Sequence, residues 1–276
     1  MGTVATMEYL WLIVLGFVVG AFGTLIGVGG GFILMPVLLL VYPRETPTVL
    51  TAISLAVVFF NAASGSISYA RLKRIDYKSG LAFLLAGVPG AVLGALAVRF
   101  IPRQAFELVF GLLLLAAGLY ILFRPAGESG PASWLPARFK RTLIEADGTR
   151  HEYAFNLPLG VTLSFFVGFA SSLLGLGGGI IHVPAMVHLL DFPVHVATAT
   201  SHFILAAMAL AGTVIHLLDG SLSEAWRLAL LAVGAVAGAQ LGAALSTRVR
   251  GRWIMRSLAV ALAMVGLRIL ILALWQ

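Results

Sequence analysis

Two glycine runs interrupt otherwise apolar stretches, GTLIGVGGGFILMP from Gly23 to Pro36 and SSLLGLGGGIIHVP from Ser171 to Pro184. Glycine is among the poorest helix formers, and non-helical backbone at membrane depth is tolerated only where it is buried in protein or lines a wet cavity. A broken helix leaves free N–H groups and partial positive charge at the start of the next half-helix. Gly27, Gly29, Gly30 and Gly31, with Gly175, Gly177, Gly178 and Gly179, therefore read as a backbone receptor for a small anion that needs no charged side chain in oil. Pro36 and Pro184 would kink the returning half-helices as structural hinges. The plainer reading is that these glycines only let helices pack closely; their recurrence at matching places in overlong segments favours binding.

Polar side chains inside apolar runs are the next candidates: Thr51, Ser54, Asn61, Ser64 and Ser66, then Thr198, Thr200, Ser201, His202, Thr213, His216 and Gln240. LTAISL (50–55) and ATATSH (197–202) occupy equivalent positions after each glycine run. Thr51, Ser54, Asn61, Thr200, Ser201 and His202 accordingly join the substrate-binding set, with His202 also a candidate for proton coupling. Five of the six histidines, His182, His188, His195, His202 and His216, fall in one short stretch, which keeps open a His-assisted transition-metal or other ion permease or channel. Asp191 and Pro193 interrupt that stretch and no histidine pair is three or four apart, so no metal site is assigned. The acids lie almost all in loops and no nucleophilic triad or nucleotide loop is placed. Neither an enzyme nor a cofactor is expected.

The elements that must position these groups are membrane helices. Of the 276 residues 60% are hydrophobic and 11% charged, where a soluble domain carries about a quarter charged residues. The mean hydropathy is +1.02, and several apolar runs reach the roughly 20 residues that cross a bilayer. An all-α polytopic membrane protein follows; the alternating segments of a β-barrel are absent. The +7 net charge sits mainly between apolar segments, where it marks cytoplasmic loops rather than nucleic-acid affinity. The chain has no cysteine. Glu8 stands where a signal peptide would be basic, so the first segment reads as retained.

Apolar runs at about 9–42, 48–70, 79–101 and 104–123 are followed by 156–190, 195–218, 225–247 and 254–275. As one helix, 9–42 would be ~51 Å long, so two short pieces joined at the glycines are expected, re-entrant or simply short. GVGGGFILMP (27–36) overlays GLGGGIIHVP (175–184), Gly65 aligns with Gly212, and GLYIL (118–122) matches GLRIL (266–270). Gly87, Gly90 and Gly94 align with Gly234, Gly238 and Gly242, three or four apart on one helix face, which reads as packing. Residues 1–123 and 156–276 are thus two transmembrane repeats, and 124–155 is a polar cytoplasmic linker. Within it RTLIEADGTRHEYAF alternates about Asp147-Gly148, a two-residue hairpin signal. The basic clusters RLKRIDYK (71–78), the linker and RVRGRWIMR (248–256) share one side only if each opening run returns to the side it left. The second repeat is then inverted relative to the first, with both termini outside; Arg99 and Arg103 fit this less well.

The doubled GxGGGxxxxP element (Gly27, Gly29–Gly31, Pro36; Gly175, Gly177–Gly179, Pro184), the TAISL and TATSH segments and the polar mid-chain loop resemble the sulfite exporter TauE/SafE family of membrane permeases over nearly the whole chain. The resemblance implies a transporter of small anions, sulfur oxyanions such as sulfite or organosulfonates, in the bacterial inner membrane. A secondary transporter working by alternating access is expected. Its partners would be the anionic substrate, the lipid bilayer, a coupling proton or sodium ion, and a second copy of the chain in a homodimer.

Overall fold

The computed structural model describes residues 2–123, 139–222, 225–248 and 251–274. Helices α1 (Gly2–Ile26) and α2 (Gly31–Val41) are followed by α3 (Pro47–Arg71), α4 (Tyr77–Ala97) and α5 (Arg103–Phe123). A two-stranded antiparallel hairpin, β1 (Phe139–Ile144) and β2 (Arg150–Phe155), comes next. Then come α6 (Leu157–Leu174), α7 (Gly179–Leu189), α8 (Val194–Leu218), α9 (Ala225–Ser246) and α10 (Gly251–Leu274). Among the described residues seven helices are long and apolar enough to cross a membrane: the protein is an all-α polytopic membrane protein. α2 and α7 have 11 residues each, about 16 Å, or half a hydrocarbon core.

The broken segments are lopsided rather than two short pieces. α1 and α6 have 25 and 18 residues, and only the partner after the break is short. Both long helices end alike. Gly27 and Gly175 adopt φ of 90° and 68°, and the next amide, Val28 or Leu176, donates back to Gly23 O (2.8 Å) or Ser171 O (2.9 Å). This six-to-one closure needs a left-handed residue that glycine adopts without penalty.

Each long–short pair leaves and returns beside the same loop. Tyr9, near the start of α1, meets the Trp226 ring edge-on, and Arg227 lies over Tyr42 at the end of α2. Phe155, just before α6, packs on Phe192, just after α7, with ring centroids 4.9 Å apart. These two loci lie at opposite ends of α3, whose 25 residues extend about 36 Å. At the first end, Arg103 donates to the carbonyls of Leu39, Pro43 and Glu45 and to Glu107, and Arg99 faces Asp219. The two arginines that fitted the loop charges poorly thus have local partners. At the other end Arg74 pairs with Glu145 and reaches Ser246, the last residue of α9.

Helix pairing crosses the two halves: α1 packs chiefly on α9, α4 on α6, α3 on α8 and α5 on α10. Gly234, Gly238 and Gly242 rest on the backbone of Ile13, Phe17 and Ala21, and Gly90 and Gly94 on that of Phe165 and Phe169. A Cβ at any of these would overlap main chain, which makes them the packing residues their spacing indicates.

The hairpin turns at Asp147-Gly148, but through a three-residue loop closed by Glu145 N–H to Thr149 O (2.9 Å), with Gly148 at φ 88°. It lies against the helices. Tyr153 and Phe155 are buried against Phe83 and Phe192, and the Ala146 amide donates to Leu72 O. The rest of the expected linker, residues 124–138, lies outside the described residues.

Candidate functional site

The two glycine breaks touch. A Cβ on Gly31 would meet the carbonyls of Gly175 and Leu176, and one on Gly179 would meet Val28 and the Gly27 carbonyl. Gly29, Gly30, Gly177 and Gly178 have φ of 80°, 81°, 81° and 97°, left-handed backbone that strains any residue with a side chain. Residues 27–32 and 175–180 are all buried. Gly30 and Gly178 begin α2 and α7 with no side-chain cap.

The amides of the two breaks differ in whether they are free to serve a ligand. The Gly29 amide donates to Gly23 O and so drops out of the donor set, contrary to the sequence reading. Ile33 and Leu34 bond Gly30 O, and Ile181 and His182 bond Gly178 O. Among the described residues no acceptor faces the amides of Gly30, Gly31 and Phe32, nor those of Gly177, Gly178, Gly179 and Ile180. Two half-helix N-termini therefore present free donors in one buried region. Gly27 and Gly175 serve instead as the left-handed ends of α1 and α6. Pro36 and Pro184 lie buried inside continuous helices α2 and α7, where each removes one backbone bond.

Hydroxyls from each half face the break of the other. Ser54 donates to Gly175 O at 2.6 Å, and Thr51 abuts Gly175 with its own oxygen unpaired. Thr198, on α8, abuts Gly27 in the same way. Ser201 is fully buried and also unpaired. His202 reaches Thr24 through Nε2 (3.2 Å) and stands edge-on to Tyr69.

Two expected site residues are engaged elsewhere. Asn61 accepts from Thr24 Oγ1 (2.9 Å) and donates to Gly20 O (3.0 Å), so it holds α1 to α3. Thr200 accepts the Asp76 amide (3.0 Å) at the α3–α4 loop. Two groups missed by sequence reading belong here, Ser171 and Ser172 before the second break, both buried and unpaired. The only signal for them was a Ser-Ser pair inside an apolar helix.

The histidines do not pool. His182 bonds Ser164 (2.9 Å), His202 bonds Thr24, and His188 lies edge-on to Tyr120. Among the described residues no three His, Asp or Glu side chains gather as a ligand set.

Strong charge sits at the edge of the bundle. Asp76 caps α4 and accepts from Arg141, Ser79 and Tyr153. Burial alone would push its carboxyl up, but the guanidinium and the two hydroxyls outweigh that and hold it below the usual carboxylate range. Burial and the adjacent carboxylate hold the Tyr153 phenol well above its ordinary value.

Residues 12–269 match the family model described as "Sulfite exporter TauE/SafE". The chain is 32% identical over 270 residues to the Bacillus subtilis "Probable membrane transporter protein YunE", covering 96% of this chain and 98% of that one. It is 26% identical over 253 residues to a Haemophilus influenzae "Probable membrane transporter protein", covering 91% and 90%. A Methanocaldococcus jannaschii protein also described as a probable membrane transporter is 27% identical over 211 residues, covering 75% and 71%. No solved structure matches the chain.

Proposed function

The chain belongs to the sulfite exporter TauE/SafE family, and on that premise we propose that this membrane transporter is a secondary carrier of small oxyanions, sulfur oxyanions or organosulfonates. The observation that carries the reading is the contact between two half-helix N-termini with unpaired amides, in a region flanked by buried hydroxyls. Amide and hydroxyl donors without a fixed opposing charge favour an anion. The separate bonding of His182 and His202 weighs against the metal-permease alternative.

The halves act as inverted repeats. Exchanging them converts the α1–α9 packing into α6–α4 and leaves α3–α8 and α5–α10 unchanged. It also sends each loop to the opposite end of α3: the loop after α2 lies with Arg103, while that after α7 lies with the hairpin. The basic end, with residues 71–78, the hairpin and the end of α9, faces the cytoplasm of the bacterial inner membrane, and both termini lie outside. The fully buried breaks must be exposed alternately to the two sides by rocking of the halves. A cavity of about 220 Å³ beside Ile33, Pro36 and Val37 leaves α2 room to shift. A proton or sodium gradient, or the substrate's own gradient, drives the cycle, and a homodimer is compatible with it.

The test is flux of sulfite and sulfoacetate into proteoliposomes, with a thermal-shift screen of both against thiosulfate and carboxylates. Gly30→Leu and Gly178→Leu should abolish flux in protein that still inserts in the membrane; normal flux in both variants rejects the site.

A further inference from the structure

We propose that the two glycine breaks are functionally unequal: the anion is held at the second, by the α7 amides, the hydroxyls of Ser171 and Ser172 and the His216 ring, while at the first the matching hydroxyl, that of Thr24, is already taken up by the protein's own side chains. This rests on the oxyanion-transport reading and adds to it residues that lay outside the expected binding set.

The repeat register sets the comparison. It places Thr24 with Ser172, Asn61 with Met208, Leu55 with His202, Gly65 with Gly212 and Tyr69 with His216. In the first half both oxygens of Thr24 are bonded. Its hydroxyl donates to Asn61 (2.9 Å) and lies 3.2 Å from His202 Nε2, and its carbonyl accepts from the Tyr69 hydroxyl (2.6 Å).

The second half builds the same scaffold without those partners. Ser172 Oγ lies 3.2 Å from where a Gly212 Cβ would be, just as Thr24 Cγ2 lies 3.0 Å from the equivalent point on Gly65. The asparagine position is Met208, however, and the position matching His202 is Leu55, so both hydrogen-bonding partners are replaced by apolar side chains. Ser171 and Ser172 are each 1% exposed and His216 is 0% exposed, yet neither hydroxyl nor either ring nitrogen has a partner. His216 follows Gly212 by one helical turn on the same face of α8, the face that Ser172 of α6 meets at Gly212. Ser171 Oγ lies 3.0 Å from the point a Gly178 Cβ would occupy, which aims it at the start of α7, where Gly177, Gly178, Gly179 and Ile180 present unpaired amides.

Buried polar groups in native proteins are paired with few exceptions, and four such unpaired atoms, on Ser171 and Ser172 beside the break and on His216 of the adjoining α8, point to an occupant. Its chemistry follows from the inventory. Hydroxyls, amides and an imidazole N–H all donate, and the nearby acid, Asp219, faces Arg99. The site suits a compact oxyanion with several acceptor oxygens, such as sulfite or the head of an alkanesulfonate. At the first break the Thr24 hydroxyl is already bonded, which leaves such a ligand fewer side-chain donors.

Thermal-shift titration of the purified full-length protein with sulfite and with sulfoacetate tests this. The Ser171→Ala/Ser172→Ala double variant should weaken the apparent Kd at least tenfold. His216→Leu should raise the melting temperature without anion, by removing unpaired nitrogens, while weakening the anion response. Thr24→Val should do the reverse, lowering the melting temperature with the Kd unchanged. Equal weakening in the Thr24 and serine variants overturns the asymmetry, as does unaltered binding in the serine variants, the result expected if only internal water meets these hydroxyls. A wild type that answers to neither anion overturns the transport reading as well.

Discussion

Arg141 grips Asp76 with both arms of its guanidinium, Nη2 to Oδ1 at 2.6 Å and Nε to Oδ2 at 3.0 Å. The Tyr153 hydroxyl adds a third contact to Oδ2 at 2.7 Å. Two strands of the mid-chain hairpin thereby hold the carboxylate that caps α4. The amide of the same aspartate is held by Thr200 on α8, so the hairpin fastens the two halves together at the basic end.

Removing the grip should be costly in proportion to its burial. Asp76 is nearly inaccessible, while the Arg141 side chain is a quarter exposed. Arg141→Ala should therefore cost about 1–3 kcal/mol, below the loss from breaking a fully buried pair. A lower melting temperature in detergent, with accelerated proteolysis of the hairpin, is the expected readout.

The same pair sets an acid limit. The folded-state pKa of Asp76 lies below its unfolded value of about 3.9, so its contribution is complete above that pH and fades as pH falls through the folded value. The wild-type melting temperature should drop below pH ~4 by more than that of Asp76→Asn. Parallel profiles for the two proteins would remove Asp76 from the acid response.

The glycines differ in what they tolerate. Gly238 rests on Phe17 backbone, so Gly238→Leu must separate α1 from α9 and should leave little folded protein in the membrane. Gly148 has open space around it, so Gly148→Ala should cost only left-handed strain, about 1–2 kcal/mol. Size-exclusion profiles of solubilised protein separate the two outcomes.

Asn61 supports α1 from within the bundle. Asn61→Leu removes one partner each from the Thr24 hydroxyl and the Gly20 carbonyl, a loss of about 1–3 kcal/mol. Heating curves should register it even where anion binding is unchanged.

Sidedness can be read directly because the chain has no cysteine. Single cysteines at Arg44 and Gly220 should react with a membrane-impermeant maleimide on intact cells, and those at Asp147 and Arg248 only after lysis. Any pattern that groups Arg44 with Asp147 contradicts the inverted arrangement.

Much of the architecture was legible because glycine and charge are strong punctuation in apolar sequence. The breaks at Gly27–Gly30 and Gly175–Gly178 and the turn at Asp147-Gly148 stood out for that reason. The unequal helix lengths did not, since nothing but glycine marks a boundary in a uniformly apolar run. Side-chain roles were harder to read. Asn61 and Thr200 looked like Ser54 and Ser201 in sequence, and only tertiary contact shows the first two bonded away from the breaks. The grip of Arg141 on Asp76 joins residues 65 positions apart, beyond any local pattern.

The seams between α1 and α9 and between α4 and α6 are bare main chain against main chain at their glycines. Interlocked side chains resist sliding because each must change rotamer to pass its neighbour; surfaces without side chains present no such teeth. The glycine ladders that hold the halves closest thus lack the interlocking that would oppose sliding of one helix along the other.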